Sequence, residues 1–233
     1  MADNDGITHI AATPHCMDGE YETRPDVVLE GVSQVNETLR SHDLRIRVLP
    51  GMEVRIVPEL LELLFERKIL TLNNGRYVLL ELHPTDVPVG LEDFIRTVTS
   101  AGFGVVICHP EKNMTVQRNP DVLIRMLDRF HSWELLFQIS ADSLRNHAGP
   151  VAYKTAKYML RHHAVHIIAA DAHSTQGRVP RLSDAVRIAA GIVGDPMASM
   201  MVTSIPKAVV AGTDFPKIEW SARQKRWWSF LTR

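Results

Sequence analysis

The sequence predicts an α/β fold of repeated βα units arranged as one domain. Three observations lead there. Short apolar runs alternate with amphipathic stretches along most of the chain. The 233 residues carry 45% hydrophobic and 23% charged side chains, an ordinary globular mixture long enough for one large core. No internal repeat, low-complexity tract or long Gly/Ser linker marks a boundary, so residues 1–233 read as a single domain.

Taken in order, the first run, ITHIAATPH, ends at His15. RIRVLPGMEV carries Glu53 and leads into the helix-like PELLELLFERK, with Pro58 where a first helical turn tolerates proline. YVLLELHP carries Glu81 and precedes GLEDFIRTVTSAG. GVVICHPEKN carries His109 and precedes NPDVLIRMLDRFHSW, where Pro120 has the same role as Pro58. LLFQISADS carries Gln138 and Ser140 and precedes GPVAYKTAKYMLRHH. The last run, VHIIAADAHS, ends in Asp171 and His173, and strand alternation predicts that both side chains share one face.

In parallel α/β architectures function gathers at the C-terminal ends of strands. Five of the six runs place an imidazole or a carboxylate there: His15, Glu53, Glu81, His109 and the pair Asp171 and His173. Such a mixed set suits Mn, Fe or Zn in sites with open positions, and the number of donors suits two or more ions. Singly, each residue has a plainer reading. His15 after Thr13 and Pro14 could be a loop histidine, Glu81 beside His83 a solvated turn, and Asp171 a helix cap. Their shared position at strand ends is what favours a metal centre. His42, His131, His147, His162 and His163 fall in or beside helix-like stretches and read as surface residues.

Formal charge is −1 and the isoelectric point near 6.8, which gives no general attraction to nucleic acid or an anionic membrane. No apolar run is long enough to span a bilayer and no leader pattern opens the chain, so a cytoplasmic setting is expected. The two cysteines, Cys16 and Cys108, each neighbour a candidate ligand and by alternation should face away from it, as packing residues. Neither is followed by an arginine at the spacing of a Cys-x5-Arg phosphate loop: the positions hold Glu22 and Met114. A thiol nucleophile is disfavoured. Residues 219–233 interleave Arg223, Lys225, Arg226 and Arg233 with Trp227, Trp228 and Phe230. They read either as a terminal helix covering the fold or as a tail making weak membrane-surface or partner contacts.

The ordered set IAATPH, PGMEV, LLEL, CHPEKN, QISADSL and AADAHSTQGRVP resembles the bacterial PHP-domain tyrosine phosphatases of the CpsB/CapC/YwqE group, from Ile7 to about Ala211. The resemblance implies a distorted PHP-type βα barrel of seven units, about six of them in this chain. It also implies a site for two or three divalent ions, usually Mn2+ with Fe, Co or Zn as alternatives. Further, it implies action on the phosphotyrosine of a membrane-bound autokinase that controls capsule or exopolysaccharide export. Residue by residue, His15, Glu53, Glu81, His109, Asp171 and His173 match the family's metal ligands, while Arg178 and Lys112 match basic residues near the phosphate. Lys112 stands where the family usually has arginine, losing the two-pronged grip on a phosphoryl group.

The group's first unit, with an H-x-H pair, has no counterpart ahead of MADNDGITHI, so the chain as written is expected to lack three ligands, leave a barrel edge open and be a poor enzyme. Two further readings stay open: a PHP phosphoesterase for a small molecule such as histidinol phosphate, and a non-catalytic regulatory protein of the same fold.

Overall fold

A computed structural model describes residues 1–17, 19–130, 133–213 and 215. His131 and the 219–233 segment discussed above lie outside the described residues. The chain runs through β1 (His9–Ala12), β2 (His15–Cys16), α1 (Pro25–Ser41), β3 (Arg47–Pro50), β4 (Glu53–Arg55) and α2 (Leu60–Phe65). It continues through β5 (Tyr77–Glu81), α3 (Leu91–Ser100), β6 (Gly104–Cys108), α4 (Met114–Arg118), α5 (Asp121–Leu127) and β7 (Leu135–Ser140). It closes with α6 (Ala141–Leu144), α7 (Pro150–Arg161), β8 (Ile167–Ala169), α8 (Ser183–Val193), α9 (Asp195–Met200) and α10 (Ser204–Ala211). The architecture is α/β with parallel strands, as the alternation of runs predicts.

Every strand pairing in the two sheets is parallel: a six-stranded sheet ordered β2-β4-β5-β6-β7-β8, and the pair β1-β3. The first two apolar runs are each cut in two. His9 faces Arg47 across β1-β3 and His15 faces Glu53 across β2-β4, so one register continues through the break. Proline has no N–H to give a ladder, and Pro14 and Pro50 stand at the interruption. Gly51 lets the segments close up there, since a Cβ would lie 3.2 Å from Leu72 Cδ2 and 3.3 Å from Thr13 Cγ2. The Glu53 N–H donates to Pro14 O at 3.1 Å and restarts the pairing at the first candidate carboxylate.

Both faces of the sheet are buried, which explains runs without a polar face. On the helical side Val78, Leu80, Val105, Ile107, Phe137 and Ile139 pack in the same core as Ile95 of α3 and Met159 and Leu160 of α7. On the other side Tyr77, Leu79, Val106, Cys108, Leu136 and Ile167 meet Leu72, Ile205 and Val209. The helices begin where the sequence signals them, with two adjustments. Pro58 lies ahead of α2, which starts at Leu60, and Pro120 is the N-cap of α5 rather than a first-turn residue.

Two positions make the packing testable. Gly104 lies flat against the Tyr77 ring, whose hydroxyl donates to Trp133 O at 2.5 Å, and a Cβ at residue 104 would overlap the ring. G104A should therefore lower the urea midpoint by the equivalent of about 1–3 kcal/mol, as overpacking does. His166 Nδ1 accepts from the Phe137 N–H at 3.0 Å, and burial pushes this histidine down to about 4 from an ordinary 6.5. The unfolded chain binds the proton first, so this contribution is present above pH ~6.5 and fades as pH falls toward ~4. Urea midpoints measured across that window should fall less steeply for H166N than for the unaltered protein.

Candidate metal centre

The strand tips bring together residues far apart in sequence. β2 and β4 lie side by side, which puts His15 Nδ1 3.6 Å from Glu53 Oε1, and the next strand, β5, sets Glu81 Oε2 3.7 Å from the same nitrogen. His109 follows β6 with φ 32°, a left-handed turn that breaks strand alternation. Its Nε2 reaches Glu53 Oε1 at 2.9 Å and stands 3.8 Å from Glu81 Oε1. Donor atoms of His15, Glu53 and Glu81 lie within 4.8 Å of one another, as do those of Glu53, Cys108 and His109.

Asp171 and His173 arrive differently from the expectation. β8 stops at Ala169 and Asp171 has φ 51°, so the period-2 rule no longer operates at these residues. A loop places them instead. The His173 N–H donates to Arg178 O at 2.8 Å, and the Arg178 Nε–H donates back to Asp171 O at 3.2 Å. The Asp171 side chain, 9% exposed, lies beside Lys112 and Arg178 and outside both donor groups, while His173 stays 47% exposed, its ring 6.4 Å from that of His15. Lys112 Nζ donates to Asp171 Oδ2 at 2.5 Å, and Arg178 Nη2 pairs with the same oxygen.

The electrostatics follow from this crowding. Burial works against the Glu53 charge, but the His109 hydrogen bond and the two nearby imidazoles outweigh it and hold this carboxyl below its ordinary range. Glu81 is pushed up by burial and by the Glu53 carboxylate. Burial also opposes the charge on Asp171, yet the Lys112 and Arg178 cations and His109 win, so this carboxyl sits low. His109 resists its own burial through Glu53 and is raised.

Four participants were not legible in the run-end pattern. Arg55, next on the face of Glu53 along β4, brings Nη2 within 2.9 Å of Glu81 Oε2, off the line of a hydrogen bond, so that oxygen has no hydrogen-bond donor. The signal was available: residues 53 and 55 share a strand face. Cys108 lies beside the cluster and does not face away from it, because the left-handed turn at His109 swings the imidazole to the same side. Its thiol donates to Leu80 O at 3.3 Å, and burial raises it far above the ordinary thiol range. Cys16 is buried in the helical-side core, as expected of a packing residue. Glu111, wholly buried, accepts from the Ser140 N–H at 3.0 Å and Ser143 Oγ at 2.6 Å. It thereby fixes the turn that carries His109 and Lys112 against the end of β7, whose Ser140 caps α6. Asn113 donates to His83 O at 2.6 Å and Asp86 O at 2.7 Å and ties that turn to the β5 loop.

The chain and its fold have known relatives. The family described as "Capsular polysaccharide synthesis, CpsB/CapC" matches residues 1–211. Tyrosine-protein phosphatase YwqE of Bacillus subtilis is 32% identical over 173 residues, 74% of this chain and 66% of the relative, so the match spans just under two thirds of that protein's length. CpsB of Streptococcus pneumoniae is 24% identical over 206 residues, 88% of this chain and 85% of its own. A solved structure from work on YwqE and CpsB, described as unique metal-dependent tyrosine phosphatases, superposes with a TM-score of 0.85 at 28% identity, covering 93% of this chain and 86% of its own.

The Glu111 support can be probed directly. E111A strands the Ser140 N–H in the interior and opens a cavity, and should cost about 2–4 kcal/mol in urea unfolding. E111Q keeps the acceptor and removes the buried carboxyl, which burial already pushes up, so its midpoint should lie within about 1 kcal/mol of the unaltered protein.

Proposed function

The chain belongs to the capsular polysaccharide synthesis family CpsB/CapC, and from that premise we propose that it is a metal-dependent protein-tyrosine phosphatase. The observation that carries this reading is the cluster of His15, Glu53, Glu81 and His109 beside the cation pair Lys112 and Arg178. Relatives named tyrosine-protein phosphatases favour it over a small-molecule phosphoesterase or a non-catalytic regulator.

Donor chemistry fits an ion. His15 Nδ1 and Glu81 Oε2 are buried without a hydrogen-bond partner, and neighbouring strands hold the Glu53 and Glu81 carboxylates together against their mutual repulsion. Buried N and O atoms that lack a hydrogen bond, beside neighbouring carboxylates, are what hard or borderline divalent cations coordinate. In our reading His15, Glu53, Glu81, His109, Asp171 and His173 hold two or three ions, with Mn2+ preferred and Fe, Co or Zn as alternatives. Such ions, when bound, would lower the pKa of a water toward about 7 and offset phosphoryl charge.

The chain's own residues supply the rest. Lys112 and Arg178 together carry two positive charges against one on Asp171, leaving a net charge of one for a phosphoryl dianion. Arg178, 41% exposed, reaches from the rim, and Lys112 reaches from the turn below. A tyrosyl leaving group, with a phenol pKa near ~10, departs as phenolate more readily than a serine alkoxide, which lessens the need for a dedicated acid. Glu53 orients His109 through the 2.9 Å hydrogen bond, and Arg55 steadies Glu81.

No described helix is long and apolar enough to cross a membrane. We place the protein in the cytoplasm, acting on the phosphotyrosine of a membrane-bound autokinase whose activity drives polysaccharide export.

Hydrolysis of a phosphotyrosyl peptide should require added Mn2+ and vanish with a chelator, and E53A or D171A should each lower kcat by about 100-fold or more while reducing metal content. C108S should retain activity. Metal-independent turnover that C108S abolishes would overturn the assignment.

A further inference from the structure

Beyond β2 the chain makes a short excursion that leaves an aromatic ring in an unusual place. Met17 and Gly19 both take positive φ, 61° and 87°, and turn the backbone sharply after the strand. Glu22 then comes back to bridge Cys16 in antiparallel fashion, and Cys16 Sγ contacts Thr23 O at 3.7 Å before α1 begins at Pro25. The result lays the Tyr21 ring along that of His15, with centroids 6.3 Å apart and planes inclined by 23°. The His173 ring stands 6.4 Å from the same His15.

Tyr21 is 51% exposed. Among the described residues the other exposed large aromatic is Phe65, which meets Phe103 edge-on at 5.8 Å, beside the N-terminal end of β6 and so away from the strand tips. Tyr21 is therefore the aromatic surface that water sees at the mouth of the cluster. An exposed ring costs free energy that burial against a ligand would recover, and aromatic pairs attract at centroid separations of about 4.5–7 Å.

We infer that Tyr21 is a specificity-determining residue, its exposed ring forming the platform that receives the phenyl ring of an aryl phosphate. The inference rests on the phosphatase reading for what lies beneath: Lys112 and Arg178 take the phosphoryl group, and the phenyl ring then extends outward to the level of Tyr21. A phosphoserine side chain has no ring to place there. The platform thus selects aryl over alkyl phosphomonoesters by adding an attraction that only the former can make.

The experiment compares unaltered protein, Y21A and Y21F in two ways. Calorimetry on the Mn-loaded protein measures binding of phenylphosphonate and methylphosphonate, which are not hydrolysed. Kinetics measures kcat/KM for one peptide carrying either phosphotyrosine or phosphoserine. Y21A should weaken phenylphosphonate about 3- to 10-fold and lower phosphotyrosine kcat/KM by a similar factor, while methylphosphonate affinity moves less than about 2-fold. Y21F should restore the aryl preference. Equal losses on aryl and alkyl ligands would show that Tyr21 only props His15, and no loss on either would show an idle ring; both overturn the inference. Phosphotyrosine hydrolysis indifferent to Y21A sinks the platform and leaves the phosphatase standing. Tyr21-dependent phenylphosphonate binding without hydrolysis does the reverse, and binding of neither phosphonate removes the platform too.

Discussion

The constraint on which the rest of the structure depends is the burial of carboxylates side by side at the ends of parallel strands. Glu53 and Glu81 stand on neighbouring strands, and Asp171 joins them from a loop. Like charges in a poorly solvated place repel strongly, so each needs a cation within reach. The chain meets that need with His109 on Glu53, Arg55 on Glu81, and Lys112 with Arg178 on Asp171. A further need remains at Glu81, whose pKa stays high and whose Oε2 has no hydrogen-bond donor. That residual imbalance is what the proposed divalent cations would offset.

Holding such a cluster requires a backbone that leaves its regular path at the right residue. His109 and Asp171 both take left-handed conformations that side chains other than glycine adopt reluctantly. Each is secured by neighbours. The buried Glu111 binds the turn after His109 to β7, and the bonds among His173, Ser174 and Arg178 close the loop after Asp171. Asp5 reinforces the second loop from the far end of the chain, its carboxylate accepting from the Leu182 and Ser183 N–H groups at the start of α8. The functional loops are therefore tied to the core at points outside the site itself.

Lys112 and Arg178 bring two different kinds of cation to one carboxylate. An ammonium is a compact charge on a flexible stem, and here it donates to Asp171 Oδ2 at 2.5 Å, an oxygen it shares with Arg178. One planar guanidinium and one point charge thus meet at a single carboxylate oxygen. Under the proposed phosphatase function, orienting a phosphoryl group would fall mainly to Arg178, with Lys112 contributing charge.

The sequence by itself determined the α/β class, the parallel strands, and which residues stand near strand ends. Those follow from local facts: the period of the apolar runs and the chemistry of the residue that ends each one. His15, Glu53, Glu81 and His109 could be named for that reason. What only tertiary structure decided is how those tips meet. Alternation along a strand suggests that Cys108 and His109 point apart and that Asp171 and His173 point together; one left-handed residue reverses the first, while the second pair does meet, at 3.7 Å, through a loop and not through strand alternation. Arg55, Glu111 and Tyr21 owe their places to contacts across the fold, with Glu81, Ser143 and the returning loop after β2. Positive φ angles and long-range pairings depend on the whole packed chain, and no window of residues short enough to read by periodicity contains them.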